Sequence, residues 1–289
     1  MSVPKEFNQR LQDLDKTIYI EVIEEFRDLH YGLQDKLVQE LRTIYGPYFN
    51  FSEEYLARLL NNPKITSMQV ILVRERKNHR LVAANMTIPC YFEFLENDHR
   101  PENQFLTGHG VVAVIDEYRM SGLVTIITEL NEQLMFALYP NTNMVEYGFA
   151  ISPYSYYFCT KRSKLSIPDG NKIEPNVMKL FEKINSIAPI RAKRVGKDPF
   201  LHTVFPPVHN DLSFILENID RLPPLLKYFV DQTGLIPGVG ILTMQVLYMR
   251  EGNTAGLPAG DYMKRRFEYK GQINYIQGNP THRKPIPKI

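Results

Sequence analysis

The chain has 289 residues, 44% of them hydrophobic, and a formal net charge of +2, so it can build a sizeable core and its bulk charge does not indicate a nucleic-acid partner. No apolar run reaches the roughly 18 residues that a membrane-spanning helix needs, and the polar N-terminus lacks the apolar stretch of a secretory signal. Cys90 and Cys159 have neither a disulfide-framework nor a metal-ligand spacing, so we expect a cytoplasmic protein without a metal ion.

The N-terminal part of the chain predicts a strand, two helices and two further strands. Residues 17–23 are rich in β-branched and aromatic side chains and predict the first strand. Glu24 to Tyr45 has apolar residues at helical spacing, and a second helix is predicted to begin at Ser52, a good N-cap residue. Met68 to Arg74 and Leu81 to Pro89 are predicted to form two strands of a meander.

The middle of the chain changes from a strand-like to a helix-like period. Tyr91 to Gln104 predicts a long connection, and Phe105 to Ile115 predicts a strand interrupted by Gly108-His109-Gly110, which suggests a bulge or the close approach of another group. A polar turn, Asp116 to Gly122, precedes a helix that continues to Leu138. The apolar residues at helical spacing in it are Leu123, Ile126, Ile127, Leu130 and Leu134.

This strand–turn–helix junction favours an anion. The first backbone N–H groups of a helix have no partner inside it, and the helix dipole places partial positive charge there. Gly122 allows a ligand to approach the backbone closely, and Arg119 adds a full positive charge. A phosphate group is the natural occupant of such a turn.

A fifth strand and another helix follow. Met144 to Ile151 predicts the strand, and Ser152-Pro153 opens a short helix that extends to Lys161. The order of the predicted elements up to this point is β-α-α-β-β-β-α-β-α.

The segment Val114-x-x-x-Tyr118-Arg119-x-x-Gly122-x-Val124 resembles the acyl-CoA signature of the Gcn5-related N-acetyltransferase (GNAT) superfamily. Asp116 stands where the signature commonly has Pro, and Val124 stands where it usually has Gly or Ala, which crowds the start of the helix. The resemblance implies that the turn holds the pyrophosphate of coenzyme A. The donor-binding residues that it implies are Ala113, Val114, Ile115, Arg119, Met120, Ser121, Gly122, Leu123 and Val124.

The resemblance also implies the fold class, an α+β (α/β) arrangement in which helices flank a mixed, mostly antiparallel central sheet. We expect an acyl-CoA-binding core at 1–165, an insertion or linker at 166–200, a C-terminal helix and strand at 201–250 that complete the fold, and an extended tail at 251–289. The family usually has only a short link before its sixth strand, so the resemblance implies an insertion there and gives the fold a C-terminal insertion or extension.

The C-terminal part predicts four more elements. They are a helix at Asn176 to Ile187, a strand at His202 to Val208, a helix from Leu222 that Gly234 ends, and a strong strand at Gly238 to Met249. Residues 252–289 have little periodicity and predict a mobile arm or a partner contact.

Acyl transfer from a thioester to an amine needs a base for the amine and a proton for the departing thiolate. His109 and Glu146, on strands expected to be adjacent, are candidate bases, although a hydrogen-bonded structural histidine and a surface glutamate are the alternatives. Tyr156, Tyr157 and Cys159 are candidate acids. The alternatives are an aromatic packing cluster for the tyrosines and a small buried hydrophobic residue for Cys159.

The sequence therefore predicts an N-acyltransferase that moves an acyl group directly from acyl-CoA, or from an acyl carrier protein, to an amine. We expect no nucleic-acid partner and no membrane span, and a homodimer is possible. Val124 in the acyl-CoA signature, and Cys159 where the resemblance places the tyrosine that often serves as the acid, also fit a catalytically silent binding module of this fold. An unrelated α/β ligand-binding domain is a third hypothesis.

Overall fold

The computed structural model describes residues 13–47, 65–119, 121–187, 193–203, 217, 219–264, 269 and 271–280. The chain divides into two compact units, each made of separate stretches of sequence. Unit 1 comprises Met1–Cys90, His109–Pro140 and Arg265–Ile289, and unit 2 comprises Tyr91–Gly108 and Asn141–Lys264.

Unit 1 is built on strands β1 (Ile18–Ile23), β2 (Gln69–Glu75), β3 (Leu81–Glu93) and β4 (Gln104–Val114), of which β3 and β4 continue into unit 2. The order within unit 1 is β11-β1-β2-β3-β4, where β11 (Ile273–Tyr275) is parallel to β1 and the pairs β1–β2 and β2–β3 are antiparallel. Strand β4 is therefore an edge strand of this unit.

Two of the described helices of unit 1, α1 (Tyr31–Tyr45) and α2 (Leu123–Leu138), cover opposite faces of these strands. Side chains alternate between the faces of a strand, so β2 supplies Val70 and Leu72 to the core under α1 and Ile71 and Val73 to the core under α2. This burial on both faces explains the continuous apolar run from Val70 to Val73 in β2.

Unit 2 contains β5 (Asn143–Ala150), β6 (Ser166–Ile167), β7 (Lys193–Arg194), β8 (Leu201–Thr203), β9 (Val239–Met249) and β10 (Gly260–Asp261). The order is β4-β5-β9-β8-β7, and β6 and β10 also pair with β9. The β4–β5 pair is parallel, and the other pairs are antiparallel. The helices of this unit that the described residues define in full are α3 (Pro153–Arg162), α4 (Pro175–Ile187) and α5 (Pro224–Thr233).

These elements confirm the predicted fold class: a large, mixed, mostly antiparallel sheet is flanked by helices. From β1 to α3 the described residues also follow the predicted element order, and the helix that was expected from Ser52 lies outside them. Residues 13–17, before β1, are helical, which was not predicted. In the ranges that the structure describes, no helix combines the length and the apolar character needed to cross a membrane.

Several element boundaries differ from the prediction. The expected helix Glu24 to Tyr45 is interrupted, because Leu29 is extended after a 3-10 turn and the side chain of His30 caps a new helix at Gly32 N–H. Strand β3 continues past Pro89 to Glu93, and β4 is continuous through its two glycines.

Two further differences lie near the C-terminus. Helix α5 begins at Pro224, with Pro223 as its N-cap, rather than at Leu222. The stretch after residue 251 supplies the short strands β10 and β11, which were not predicted.

Candidate functional site

The predicted donor-binding residues begin on β4, the edge strand of unit 1. Ala113 packs into the core beneath α1 and Val114 into the core beneath α2, so both side chains are buried. The amide of Ile115 donates to the carbonyl of Val82 on β3 at 3.0 Å. One edge of β4 pairs with β3 in unit 1. The N–H and C=O groups along its other edge therefore point away from β3.

A hydrogen bond to β2 and an ion pair hold the turn after β4. A 3-10 turn spans Asp116–Tyr118, and the hydroxyl of Tyr118 donates to Glu75 Oε1 at 3.0 Å. The guanidinium of Arg119 forms an exposed ion pair with Asp116 at 2.9 Å. Gly122 then adopts φ 95°, the left-handed conformation that glycine accepts most readily. Met120 lies outside the described residues.

The first amides of α2 make few hydrogen bonds within the described residues. Gly122 is its N-cap residue and has no side chain to offer, and Leu123 N–H makes only a long 3.4 Å hydrogen bond to Ser121 Oγ. Among the described residues, the amides of Val124 and Thr125 have no hydrogen-bond partner. Leu123 is buried, whereas Val124 is 38% exposed. The helix therefore presents free N–H groups beside an exposed position.

A second group of predicted residues lies in unit 2, where α3 covers one face of β5 and β9. Glu146 on β5 accepts a hydrogen bond from Arg162 Nη1 at 2.9 Å. Arg162 is the last residue of α3 and its side chain is 5% exposed, against 16% for Glu146. Burial raises the pKa of Glu146 to about 7, and the Arg162 guanidinium acts in the opposite direction because it stabilises the carboxylate.

Cys159 lies one turn before Arg162 on the same helix. Burial, with the charge of Glu146 as a further cause, raises the pKa of its thiol to about 12, and a hydrogen bond with Thr243 on β9 opposes this shift. A thiol with this pKa keeps its proton near neutrality and is a poor nucleophile. The structure thus brings Cys159 and Glu146 together, while the role of Cys159 as a proton donor stays a prediction.

The other two predicted catalytic residues are placed differently. Tyr157 is 38% exposed on α3, with the Lys161 ammonium 5.7 Å from its ring centre. His109 is half-buried on the part of β4 that belongs to unit 1. The residue before it, Gly108, is the register partner of Glu146, which confirms that the two strands are adjacent. The roles of His109 and Tyr157 stay predictions.

Sequence reasoning missed Arg162, Thr243 and Gln245. Thr243 and Gln245 are buried on β9, and Gln245 is the register partner of Glu146, so its side chain shares the face of the sheet with Glu146. A signal was present: two polar residues stand at alternate positions within an otherwise apolar strand. Where the chain is described, no group of three His, Cys, Asp or Glu side chains is placed to hold a metal ion.

No protein-family model matches the chain, and no curated protein matches it. Solved structures do match. A GCN5-related N-acetyltransferase from Kribbella flavida is 9% identical, with a TM-score of 0.34 over 52% of this chain and 35% of that chain. A conserved protein of unknown function from Enterococcus faecalis V583 is 14% identical, with a TM-score of 0.36 over 52% of this chain and 33% of that chain.

A third match is AtaTR bound with AcCoA, which is 9% identical, with a TM-score of 0.29 over 50% of this chain and 83% of that chain. The match covers about a third of the Kribbella and Enterococcus proteins, at 35% and 33% of their chains.

Proposed function

We propose that this protein is an N-acyltransferase that uses an acyl-CoA, or an acyl carrier protein, as the donor and an amine as the acceptor. One observation carries the proposal. The residues that resemble the acyl-CoA signature form a strand, a turn with Gly122 in the left-handed conformation, and a helix whose first amides are free of side-chain caps.

The donor half of the proposal follows from electrostatics. Free amides and the helix dipole together attract a phosphate, and the exposed guanidinium of Arg119 adds a cation at the same turn. Val124, which replaces the usual Gly or Ala, points its side chain outward, and its exposed side chain stands beside the free amides. We therefore expect the turn to bind a pyrophosphate, but more weakly than it would with Gly or Ala in place of Val124.

The acceptor half assigns Glu146 as the general base. In the reaction the amine nitrogen bonds to the thioester carbonyl carbon, the carbon–sulfur bond breaks, the amine gives up a proton and the thiolate takes one up. A base works best when its pKa is near the working pH, and burial brings the pKa of Glu146 to about 7. His109 is the second candidate base, and Tyr157 and Cys159 are the candidate proton donors.

The proposal is tested with the full chain, acetyl-CoA and a panel of primary amines. Release of free coenzyme A thiol that depends on the amine, together with the acetylated amine detected by mass spectrometry, is the expected result. Coenzyme A alone should also raise the melting temperature saturably, since a ligand that binds only the folded state stabilises it.

A catalytically silent binding module is the second candidate function, and the bulk of Val124 in the signature supports it. The same experiment separates the two. A saturable rise in melting temperature without turnover of any amine favours the module. If the protein shows no binding of coenzyme A and no turnover, both candidate functions are wrong.

A further inference from the structure

Gly148 on β5 has no evident packing reason to be a glycine. It lies inside a strand, where glycine costs stability because it gains nothing from packing and loses more backbone entropy than other residues. Among the described residues, no heavy atom lies within 4 Å of the position that a Cβ would occupy there. The backbone is extended, so a larger residue would not be strained.

A glycine on the neighbouring strand shows the contrast. A Cβ on Gly240 of β9 would meet the carbonyl oxygen of Ala150 at 2.7 Å, so close backbone packing excludes any side chain there. Gly148 faces open space instead. A glycine inside a strand that no protein atom crowds marks a place where another molecule approaches the backbone.

The chemistry around this open space is polar. Gly148 shares its face of the sheet with Glu146, two residues earlier, and its register partner is Thr243. The Thr243 hydroxyl donates to the Gly148 carbonyl at 3.1 Å and also bonds to Cys159 on α3. Gln245 is 2% exposed, and its Nε2 has no hydrogen-bond partner in the described part of the chain.

We propose that the space over Gly148, bounded by Glu146 and Thr243, is the acceptor channel, and that it takes a primary amine on an unbranched chain. This inference rests on the proposed function and names its acceptor class. Along β5 the space is bounded on both sides, because the residues two positions away carry side chains: Glu146 before Gly148 and the buried Ala150 after it. Branching at the carbon next to the amine does not fit between these side chains.

The charge of the site agrees with an amine. Glu146 and Arg162 form an ion pair whose charges cancel, which favours the neutral, nucleophilic form of an amine over the ammonium ion. The Glu146 carboxylate can accept a hydrogen bond from that amine, and the Gln245 Nε2 amide can donate one to the carbonyl oxygen of the acyl group.

The first test needs no acceptor. Cys159 is half-buried and interacts with Thr243 beside the channel, so its modification reports on access to the channel. Because burial raises the pKa of this thiol to about 12, its reaction is slow, and all rates are compared at one alkaline pH. Methyl methanethiolsulfonate is applied to the wild type, to Gly148→Ala and to Gly148→Val, and the modification of each cysteine is followed by peptide mass spectrometry. We expect the rate at Cys159 to fall severalfold in Gly148→Ala and at least tenfold in Gly148→Val. The rate at the buried Cys90 should not change.

Gly196→Ala is the matched control. Gly196 also has no atom within 4 Å of a Cβ among the described residues, but its φ is +65°. This variant should melt earlier and leave the rate at Cys159 unchanged, whereas the Gly148 variants should melt no earlier than the wild type. Equal rates at Cys159 in the wild type and Gly148→Val contradict the channel.

The second test identifies the occupant. n-Butylamine should slow the modification of Cys159 in the wild type, and tert-butylamine should not. With acetyl-CoA as donor, Gly148→Val should raise the KM for n-butylamine at least tenfold and leave the Kd for coenzyme A unchanged. If n-butylamine neither protects Cys159 nor accepts the acetyl group, the amine assignment is wrong. If the wild type does not bind coenzyme A, the proposed function itself is wrong.

Discussion

The two helices that carry the predicted site residues begin in opposite ways. Helix α2 starts after a left-handed glycine, and no side chain of its N-cap residue covers the first amides. Helix α3 starts with a complete capping box, in which Ser152 and Ser155 exchange side-chain to backbone hydrogen bonds of 3.0 and 3.1 Å. In the first turn of α3 the Ser155 amide is thus already bonded and Pro153 has no N–H, whereas the proposed function leaves the first amides of α2 for a ligand.

The proposed function assigns a different part of the chemistry to each helix. Helix α2 offers backbone groups at its exposed start, whereas α3 offers side chains on the side that faces the sheet. Cys159 and Arg162 lie there, against Glu146 and Thr243. Donor binding should therefore respond to charge at the start of α2, and acceptor chemistry should respond to changes beneath α3.

The largest effect should come from breaking the ion pair beneath α3. Arg162→Met leaves the Glu146 carboxylate buried without its partner, which typically costs about 3–5 kcal/mol of unfolding free energy. Burial already raises the pKa of Glu146 to about 7, so at pH 5 the carboxyl group is protonated and the loss should shrink. Urea unfolding at pH 8 and pH 5 measures both values.

The neighbouring, exposed Lys161 supplies the control for this experiment. Lys161→Met should change the free energy of unfolding by less than about 0.5 kcal/mol at either pH. An Arg162→Met loss that is the same at pH 8 and pH 5 contradicts the account of Glu146.

Removing the proposed base should come next. Glu146→Gln keeps an oxygen for Arg162 but cannot take up a proton, so kcat/KM for the amine should fall about a hundredfold or more. Because Glu146 acts only as the carboxylate, wild-type activity should rise with pH through about 7, and the variant should lose this rise. The Kd for coenzyme A should stay within about twofold. A variant with the wild-type pH profile excludes Glu146 as the base. Asp231→Asn, at an exposed position in α5, is the control.

Removing the cap of α3 tests the other side of the comparison. Ser152→Ala deletes the side chain that accepts from Ser155 N–H and should lower the free energy of unfolding by about 1 kcal/mol. Coenzyme A binding should not change, because the free amides belong to α2. Ser186→Ala, whose hydroxyl bonds near the end of α4, should cost less. If Ser152→Ala binds coenzyme A much more weakly than the wild type, the account is wrong.

The smallest effect should come from Val124→Ala. Alanine removes bulk beside the free amides of α2 and also has the higher helix propensity. We expect coenzyme A to bind roughly two- to threefold tighter, which corresponds to less than about 1 kcal/mol. Weaker binding in this variant indicates that Val124 contacts the donor favourably.

The sequence predicted most of the long elements and the strand–turn–helix junction after β4, because each is encoded locally. The helical spacing from Leu123 to Leu138 and the apolar run of β9 fix their elements without help from tertiary contacts. The short strands β10 and β11 have only two and three residues, too few for any period to show. Their pairing with β9 and β1 comes from contacts distant in sequence.

The buried polar cluster of unit 2 was predictable only in part. Glu146 and Cys159 were predicted from their positions in the predicted strand and helix. Their partners Arg162 and Thr243 follow from the packing of α3 on β5 and β9 and from the strand register, which the sequence does not encode locally. The open space at Gly148 likewise depends on what surrounds it, so only the structure distinguishes this glycine from Gly240.

The central claim is that the free amides at the start of α2 bind the phosphates of an acyl-CoA. Titration calorimetry of coenzyme A tests it directly with the wild type, Val124→Glu and Leu138→Glu, which place the same new charge at exposed positions in the first and last turns of one helix. A carboxylate near a helix N-terminus stabilises the helix by about 0.3–1 kcal/mol, so Val124→Glu should fold at least as well as the wild type. It should nevertheless bind coenzyme A at least tenfold more weakly, and Leu138→Glu should bind it as the wild type does. Equal Kd values for the wild type and Val124→Glu contradict the claim.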